Sequence, residues 1–207
     1  MQAAKNVEAK HYTYADYASW DDEARYELID GVPYIDGRPF TGVPGTVTMM
    51  SPPPSRNHQS ISMEISGQLW DFLKGKPCEV YTAPFSVRLN AAYGDDNIVE
   101  PDIVVVCDKS KLDDKGCKGP PDMVVEILSP SSARLDRVYK FNKYLQAGVR
   151  EYWIVDPDSR TVSVHVLDDG VYVAGAYTDK DMAPVSVLNG CRINLEGVFA
   201  KIQAGGQ

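Results

Sequence analysis

Two stretches of the chain decide its fold: IVEPDIVVVC (residues 98–107) and MVVEIL (residues 123–128). Both are rich in β-branched residues, and runs that are apolar on both faces are typical of central β-strands. Acidic residues nevertheless interrupt them, at Glu100 and Asp102 in the first and at Glu126 in the second. A buried carboxylate is costly unless it is paired, protonated or bound to a metal. The pattern therefore indicates a functional site.

The positions of two of these acids predict that they meet. Side chains two residues apart in a strand point to the same face, so Asp102 lies with Val104 and Glu126 lies with Val124. Neighbouring strands are roughly 4.8 Å apart, which lets Asp102 and Glu126 converge on one cation. We expect Mg²⁺, with Mn²⁺ as the alternative, because Mg²⁺ binds through one or two carboxylates together with a substrate phosphate.

The segments around these strands predict a mixed sheet flanked by helices. Apolar residues at three- and four-residue steps predict helices over 55–74 and 133–147. Asp30-Gly31, between two alternating segments, predicts a hairpin over 26–37. The other expectations are a short helix over 14–25 capped by Thr13, a polar loop over 108–122, strands over 78–89, 150–156, 161–167 and 171–177, and a last segment over 186–199. This order of elements predicts an α/β (α+β) fold.

The second predicted helix carries both apolar and charged residues. Its apolar stripe is predicted to consist of Val138, Phe141 and Leu145. Spacing of i, i+4 and i+8 puts three other residues on one side of the helix: Asp136, Lys140 and Tyr144. Of these, Lys140 is predicted to project well away from the apolar stripe. A local phosphate-binding strip is expected from its basic residues, which are Arg134, Arg137, Lys140 and Lys143.

The overall composition limits the classes of protein. The chain has 207 residues, 43% of them hydrophobic and 24% charged. This predicts one domain over 26–200, an N-terminal extension over 1–25 and a tail over 201–207. The net charge of -8 argues against a protein that coats nucleic acid through bulk positive charge. It is compatible with an enzyme whose acids surround a metal.

Compartment and redox state follow from what the chain lacks. It has no apolar run long enough to cross a bilayer and no secretory signal at its start. We therefore expect a cytoplasmic protein that does not bind a membrane. The irregular spacing of the four cysteines predicts reduced structural thiols rather than a zinc site or a disulfide framework: Cys78, Cys107, Cys117 and Cys191.

Several blocks between residues 20 and 200 are similar, in the same order, to those of a known family. They are YELIDG (26–31), His58 at the start of the first helix, EPDIVVV (100–106), VVEILSPSS (124–132), Asp136, Lys140 and Tyr144 in the second helix, AGVREYWIVDP (147–157) and NGCRINLEGVF (189–199). Pro101-Asp102, followed by a loop and then Glu126, resembles the PD-(D/E)XK nuclease superfamily. Within it, the chain looks like the Uma-type family of "putative restriction endonucleases".

This resemblance implies a restriction-endonuclease-like fold and Mg²⁺-dependent hydrolysis of phosphodiester bonds in DNA. Asp102 and Glu126 would bind the metal, and Lys140 would orient or deprotonate the attacking water or stabilise phosphate charge. The superfamily's lysine is expected at position 128, where this chain has Leu128, and Lys140 would supply that charge instead. A homodimer is expected, because duplex cleavage needs two cuts related by two-fold symmetry.

Simpler interpretations of single residues stand beside these. Asp102 also fits a residue that caps the start of a strand, and Lys140 fits a solvated lysine. Asp136 also fits an acid that offsets the helix dipole, and for Tyr144 a structural role and a place in the site are equally consistent. For His58 a satisfied, half-buried histidine is preferred to a catalytic one.

Two further acids and two further functions stay open. Glu27 is either an additional acid of the site or an ordinary residue of the hairpin. Asp122 shares a face with Glu126 but lies ~13 Å along the strand, so it is expected to hold the turn after Pro120-Pro121 rather than to bind the metal. A non-catalytic interaction module, favoured by Leu128 and the acidic charge, and a Mg²⁺-dependent phosphodiesterase acting on RNA are the alternative functions.

Overall fold

The computed structural model describes residues 10–48 and 52–202, and its fold is built from β-sheets covered by helices. The strands in chain order are β1 (Glu27–Ile29), β2 (Val32–Ile35), β3 (Arg38–Pro39), β4 (Glu79–Thr82), β5 (Val87–Arg88), β6 (Ile98–Val99), β7 (Ile103–Val106), β8 (Leu112–Asp113), β9 (Gly116–Lys118), β10 (Met123–Ile127), β11 (Glu151–Asp156), β12 (Thr161–Asp168), β13 (Val171–Thr178), β14 (Met182–Pro184) and β15 (Arg192–Asn194). The helices are α1 (Tyr14–Tyr17), α2 (Arg56–Leu73), α3 (Phe141–Ala147) and α4 (Leu195–Phe199), with a 3-10 helix at Lys109–Lys111 and a π-helix at Leu135–Lys140. No helix within the described ranges is both long and apolar enough to cross a membrane.

Both acidic stretches enter a six-stranded sheet with the order β13-β12-β11-β10-β7-β4. Strands β10 and β7 are antiparallel neighbours, with Val125 opposite Ile103. The residues just beyond this pair, Glu126 and Asp102, therefore lie at the same end of the sheet. Asp102 itself directly precedes β7, so the predicted placement of the two acids at one end of adjacent strands is confirmed, although only Glu126 lies within a strand. Strand β11 runs parallel to β10, and the π-helix and α3 connect the two.

The predicted hairpin belongs to a second, seven-stranded sheet with the order β3-β2-β1-β6-β5-β9-β8. Strands β1 and β2 pair with Ile29 opposite Val32, so two residues close the turn. These residues, Asp30 and Gly31, both have positive φ angles, 51° and 70°. Two positive φ angles match the twist of a tight hairpin, and the hairpin prediction is confirmed.

Apolar side chains cover both faces of the six-stranded sheet. On one face Ile61 and Ile65 of α2 pack into a buried cluster with β7, β10 and β11. On the other face Val104 and Val124 pack with Tyr144 of α3 and with apolar residues of the seven-stranded sheet. The structure thus has the mixed α+β architecture, a sheet flanked by helices, that the sequence predicts.

Prolines divide two segments that were each predicted as one strand. Residues 78–89 form β4 and β5 in different sheets, with Pro84 between them. Residues 98–107 form β6 and β7, also in different sheets, with Pro101 between them. A proline cannot donate to a strand ladder, so the chain leaves one sheet there and joins the other. The predicted loop over 108–122 contains the 3-10 helix and the short strands β8 and β9.

The predicted helix at 14–25 is also shorter than expected. Its cap is confirmed, because Thr13 forms a capping box with Asp16, but α1 ends at Tyr17. Further along, the Asp22 carboxylate accepts from the Ala24 backbone N–H at 3.1 Å. Such local side-chain bonds offer the backbone an alternative to the helix.

The second helix begins as a π-helix and ends, as predicted, at Gly148, whose φ is 84°. The prediction that Val138 belongs to its buried stripe is wrong, since Val138 is 49% exposed. The buried positions of this region are instead Leu135, Asp136, Lys140 and Tyr144. The polar side of the helix turns inward because it has acidic partners on the strands beneath it.

The prediction of four reduced cysteines is wrong for two of them. Cys78, just before β4, forms a disulfide with Cys107, just after β7. These strands pair with Glu79 opposite Val106, and this register brings the two sulfur atoms together across the strands. Because the two cysteines are 29 residues apart in the sequence, their spacing gave no sign of this contact. Cys117 and Cys191 are free and buried, as predicted.

Candidate active site

Asp102 is held at the end of the sheet by its neighbours. It directly precedes β7, and its Oδ2 atom accepts from the Ile127 backbone N–H at 2.7 Å. The same oxygen accepts from His58 Nε2, at the start of α2, at 3.1 Å. Both bonds fix the carboxylate in an orientation that bridges the two adjacent strands.

Glu126 is buried in β10 and is 4% exposed. Its Oε1 atom accepts from Lys140 Nζ at 3.0 Å and from the Tyr144 hydroxyl at 2.7 Å. The helix spacing that put Lys140 and Tyr144 on one side is therefore realised, because both reach the same oxygen. The structure excludes the solvated-lysine interpretation of Lys140, which is 4% exposed.

Lys140 is shared by three carboxylates. Besides Glu126, its Nζ lies 2.8 Å from Glu27 Oε1 on the hairpin and 3.3 Å from Asp136 Oδ1. Burial disfavours the ammonium, but the charges of Glu126, Glu27 and Asp136 outweigh it and raise the pKa of Lys140. The lysine therefore stays protonated inside the protein.

The same cluster favours the charged form of Lys140 but disfavours the charged form of the acids around it. Burial raises the pKa of Glu126 well above its usual value, and the nearby charges of Asp136, Asp102 and Glu27 raise it further against the attraction of Lys140. Burial also raises the pKa of Glu27. One lysine is thus too little positive charge for the acids around it.

Glu100 and Tyr17 extend the acidic cluster. Burial and the charge of Glu27 raise the pKa of Glu100, whose Oε1 accepts from the Tyr17 hydroxyl at 3.3 Å. Its backbone N–H donates to Glu27 Oε1 at 3.0 Å. Sequence reasoning missed Tyr17, because it lies 83 residues from Glu100 in a segment without periodicity.

The acidic side chains of the cluster, together with His58 and Lys140, line an open cleft of about 770 Å³. Its walls combine the acidic residues with the turn that follows β10 and with the segment before α2. The acids among the lining residues are Glu27, Glu100, Asp102, Glu126, Asp136, Asp36, Asp156 and Asp158, and the bases are Arg25, His58, Arg137 and Lys140. A polar cleft of this size admits a segment of polymer or a small polar ligand.

The donor set fits a hard divalent cation held by few protein ligands. Across residues 10–48 and 52–202, no three His, Cys, Asp or Glu side chains are arranged around one metal position. Mg²⁺, however, needs only one or two carboxylates when water and phosphate complete its shell. Asp136 Oδ1 is buried, and although Lys140 Nζ lies 3.3 Å away, this oxygen accepts no hydrogen bond from any described residue. This is consistent with a site that is short of positive charge.

His58 lies in the cleft and is half-buried as predicted, but only one of its two ring nitrogens has a hydrogen-bond partner among the described residues. Its Nδ1 atom is buried and has no hydrogen-bond partner in the described part of the chain. Burial lowers the pKa of His58, but the hydrogen bond to Asp102 and the charges of Asp102 and Asp136 raise it on balance. The position of His58 before Ile61 and Ile65 gave no sign of the contact to a residue 44 positions away.

Among the residues that the structure describes, three of the four basic residues of the expected phosphate-binding strip, all except Arg134, pair with acidic side chains. Lys140 is buried among acids, Arg137 Nη2 pairs with Asp156 Oδ2 at 3.0 Å, and Lys143 Nζ pairs with Asp30 Oδ1 at 2.6 Å. Acidic groups on neighbouring elements thus neutralise most of these charges. Sequence spacing along one helix could not show those partners.

Asp122 lies at the other end of β10, as predicted. Its Oδ2 accepts from the Cys107 backbone N–H at 2.5 Å, and its other oxygen pairs with Arg150. It is not among the residues that line the cleft. Asp122 therefore links the start of β10 to the segments just after β7 and just before β11.

Comparison with known proteins identifies the family and the fold of the chain. A family model described as "Uma2: Putative restriction endonuclease" matches residues 37–196. The protein slr1290 of Synechocystis sp., described as uncharacterized, is 27% identical over 170 residues, which is 80% of each chain. A crystal structure from Anabaena variabilis, described as "a putative nuclease belonging to DUF820", covers 92% of this chain and 99% of its own, with a TM-score of 0.69 and 18% identity.

The structural neighbour and the family model support different conclusions. At 18% identity the Anabaena structure shows that the fold is shared. The family model spans well over half of the chain, including every residue of the cleft from Gly37 to Asp158. The chain therefore belongs to the Uma2 family, whose members are described as putative restriction endonucleases.

Proposed function

We propose that the protein is a metal-dependent endonuclease that hydrolyses phosphodiester bonds in DNA. The observation that carries the proposal is the pairing of Asp102 and Glu126 at one end of two adjacent strands, in a cleft with excess acid. Family membership supports nuclease chemistry in general. The metal and the DNA substrate are our inference from the donor set.

Asp102 and Glu126 would hold the cation, which when bound activates a water and offsets charge on the phosphate. The surrounding residues keep both carboxylates in place before substrate arrives. His58 and the Ile127 N–H orient Asp102, while Tyr144 and Lys140 orient Glu126. Such supporting bonds are worth about 10- to 100-fold in activity at metal sites.

Lys140 has a second task in this proposal. It keeps a permanent positive charge beside the cleft, because its acidic neighbours raise its pKa. A fixed charge near the scissile phosphate stabilises the negative charge that grows in the transition state. This role substitutes for the lysine that Leu128 does not provide.

A plasmid-nicking assay tests the proposal. Supercoiled DNA should be nicked in the presence of Mg²⁺ or Mn²⁺, and EDTA should stop the reaction. Glu126→Gln should reduce nicking to background. The matched control is Glu64→Gln on α2, outside the cleft, where Glu64 pairs with Lys201 at 2.8 Å; this variant should keep full activity.

The alternatives predict other outcomes of the same assay. Lys140 already compensates part of the acidic charge, and this observation favours a non-catalytic module in which the cluster is structural. That alternative predicts no nicking by the wild-type protein under any metal condition. Metal-dependent cleavage of RNA with intact DNA would instead identify an RNA phosphodiesterase.

A further inference from the structure

The outer strand β13 differs from the other sheet edges. It spans eight residues, Val171–Thr178, and its sequence VYVAGAYT contains no charge and no proline. Within the described ranges it pairs only with β12. A strand of this length offers ~26 Å of backbone with unpaired hydrogen-bonding groups along its outer side.

The remaining edges of the two large sheets carry features that block pairing. Strand β3 is two residues long and consists of Arg38 and Pro39. Strand β8 is equally short, and its Asp113 pairs with Lys118 at 2.8 Å. Charge, proline and short length are the devices by which proteins protect sheet edges.

Strand β4, at the opposite edge of the six-stranded sheet, is protected in the same way. It is four residues long and starts with Glu79, whose carboxylate pairs with Lys109 at 2.6 Å. Pro84 follows it closely. Strand β13 is therefore the one long, uncharged edge among the described strands of these sheets.

Several side chains of β13 are also exposed to solvent. Val171 is 58% exposed and Val173 is 54% exposed, and both point to the same face of the sheet. Ala174 and Ala176 are exposed on the opposite face. A long, uncharged edge of this kind is a site at which another strand can add to the sheet.

We propose that β13 is a dimer interface, at which a second copy of this chain pairs its own β13 in antiparallel orientation. A two-fold axis near Ala174 makes the edge complementary to itself, as in other symmetric dimers. Pairing centred on Ala174 sets Val171 opposite Tyr177 and Val173 opposite Gly175. Aromatic and β-branched residues in opposite positions stabilise antiparallel pairs.

The charge pattern selects a second copy as the partner. Residues 171–178 contain no charge, so self-pairing opposes no like charges within the strand. An acidic or basic peptide would find no opposite charge on this strand to recognise. The six-stranded sheets of two copies would then form one continuous sheet, with a cleft in each copy. The proposal does not depend on nuclease activity.

Analytical ultracentrifugation of the full chain at micromolar concentration tests this interface. The wild-type protein should sediment as a dimer. Val171→Lys combined with Val173→Lys should halve the mass, because the two lysines at position 173 would lie diagonally across the axis and the interface would have to accommodate four added positive charges. Met63→Lys on α2, at a position that is 73% exposed, is the matched control and should remain dimeric.

Two further measurements keep the test decisive. Circular dichroism melting should show that the double lysine variant folds like the wild type. Ala174→Cys should form a disulfide-linked dimer under oxidising conditions. A monomeric wild-type protein, a lysine variant that stays dimeric, or a Met63→Lys variant that dissociates would each overturn the proposal.

Discussion

At the scale of single residues, Lys140 decides whether the acidic cluster can exist. It is buried and lies within 3.3 Å of carboxylate oxygens from Glu27, Glu126 and Asp136. The ammonium of Lys140 therefore compensates several acids at once. A protein loses far more stability when one partner of a buried ion pair is removed than when both are replaced by apolar residues.

Lys140→Met should destabilise the protein by about 3–5 kcal/mol, the range for breaking a buried ion pair. The methionine keeps the volume of the side chain but leaves the acids uncompensated. Urea unfolding at neutral pH measures the change. A loss below ~1 kcal/mol would show that the carboxylates are compensated by another group.

Glu126→Gln should have little effect on the stability of the metal-free protein. Lys140 keeps Glu27 and Asp136 as partners, and one of the crowded carboxylates disappears. Residues kept for activity often cost stability, so the melting temperature should be equal or higher. A marked drop would identify Glu126 as a structural acceptor for Lys140 and Tyr144.

Asp102 and Asp122 form a second contrast at this scale. Both follow a proline, but Asp102 lines the cleft and Asp122 bonds to the opposite strand end. Asp102→Asn should abolish Mg²⁺ binding measured by calorimetry, because the amide removes a charged ligand. Asp122→Asn should change the affinity by no more than about three-fold. The reverse ranking would contradict the assignment of the site.

At the scale of elements, the turn after β10 depends on a close approach of two backbones. Gly37, after β2, has a φ of 73°, and a Cβ there would lie 2.4 Å from the Ser131 carbonyl oxygen. Both residues line the cleft. The hairpin and the turn before the π-helix are thus packed too tightly for a side chain at this position.

Gly37→Ala should therefore cost about 1–3 kcal/mol through backbone strain and the displaced turn, and it should reduce nicking activity. Gly67→Ala is the matched control, because a Cβ at Gly67, within α2, meets nothing within 4 Å. It should stabilise the protein by about 0.5–1 kcal/mol, since alanine loses less backbone entropy in a helix. Equal effects of the two substitutions would contradict the tight packing at Gly37.

At the scale of the whole molecule, the reactivity of the four cysteines tests whether the chain has the described fold. The Cys78–Cys107 disulfide joins the edge strand β4 to β7, and Cys117 and Cys191 are buried within the structure. Burial raises the pKa of the Cys117 thiol to about 11. Its reactive thiolate is therefore about a thousandth of the population at pH 8.

Thiol titration with DTNB should accordingly show no rapidly reacting thiol in the native protein at pH 8. Unfolding without reductant should expose two thiols, and unfolding after reduction should expose four, the total in the chain. Four thiols after unfolding without reductant would contradict the disulfide. Rapid reaction of the native protein would contradict the burial of Cys117 and Cys191.

The sequence by itself determined the parts of the fold that depend on local chemistry. β-Branched runs identified β7 and β10, Asp30-Gly31 identified the hairpin, and Gly148 ended the second helix. Alternation along two strands also brought Asp102 and Glu126 to one place. Each of these signals lies within a few residues, where backbone preference and side-chain period act directly.

The tertiary structure alone decided which partners those residues meet. Lys140 is buried although its helix predicted an apolar stripe elsewhere, because Glu27, 113 positions earlier in the chain, and Glu126 both reach it. Tyr17 and His58 contact acids 83 and 44 positions away. Burial and charge compensation depend on everything that surrounds a group in space, and the linear order of residues does not contain those distances.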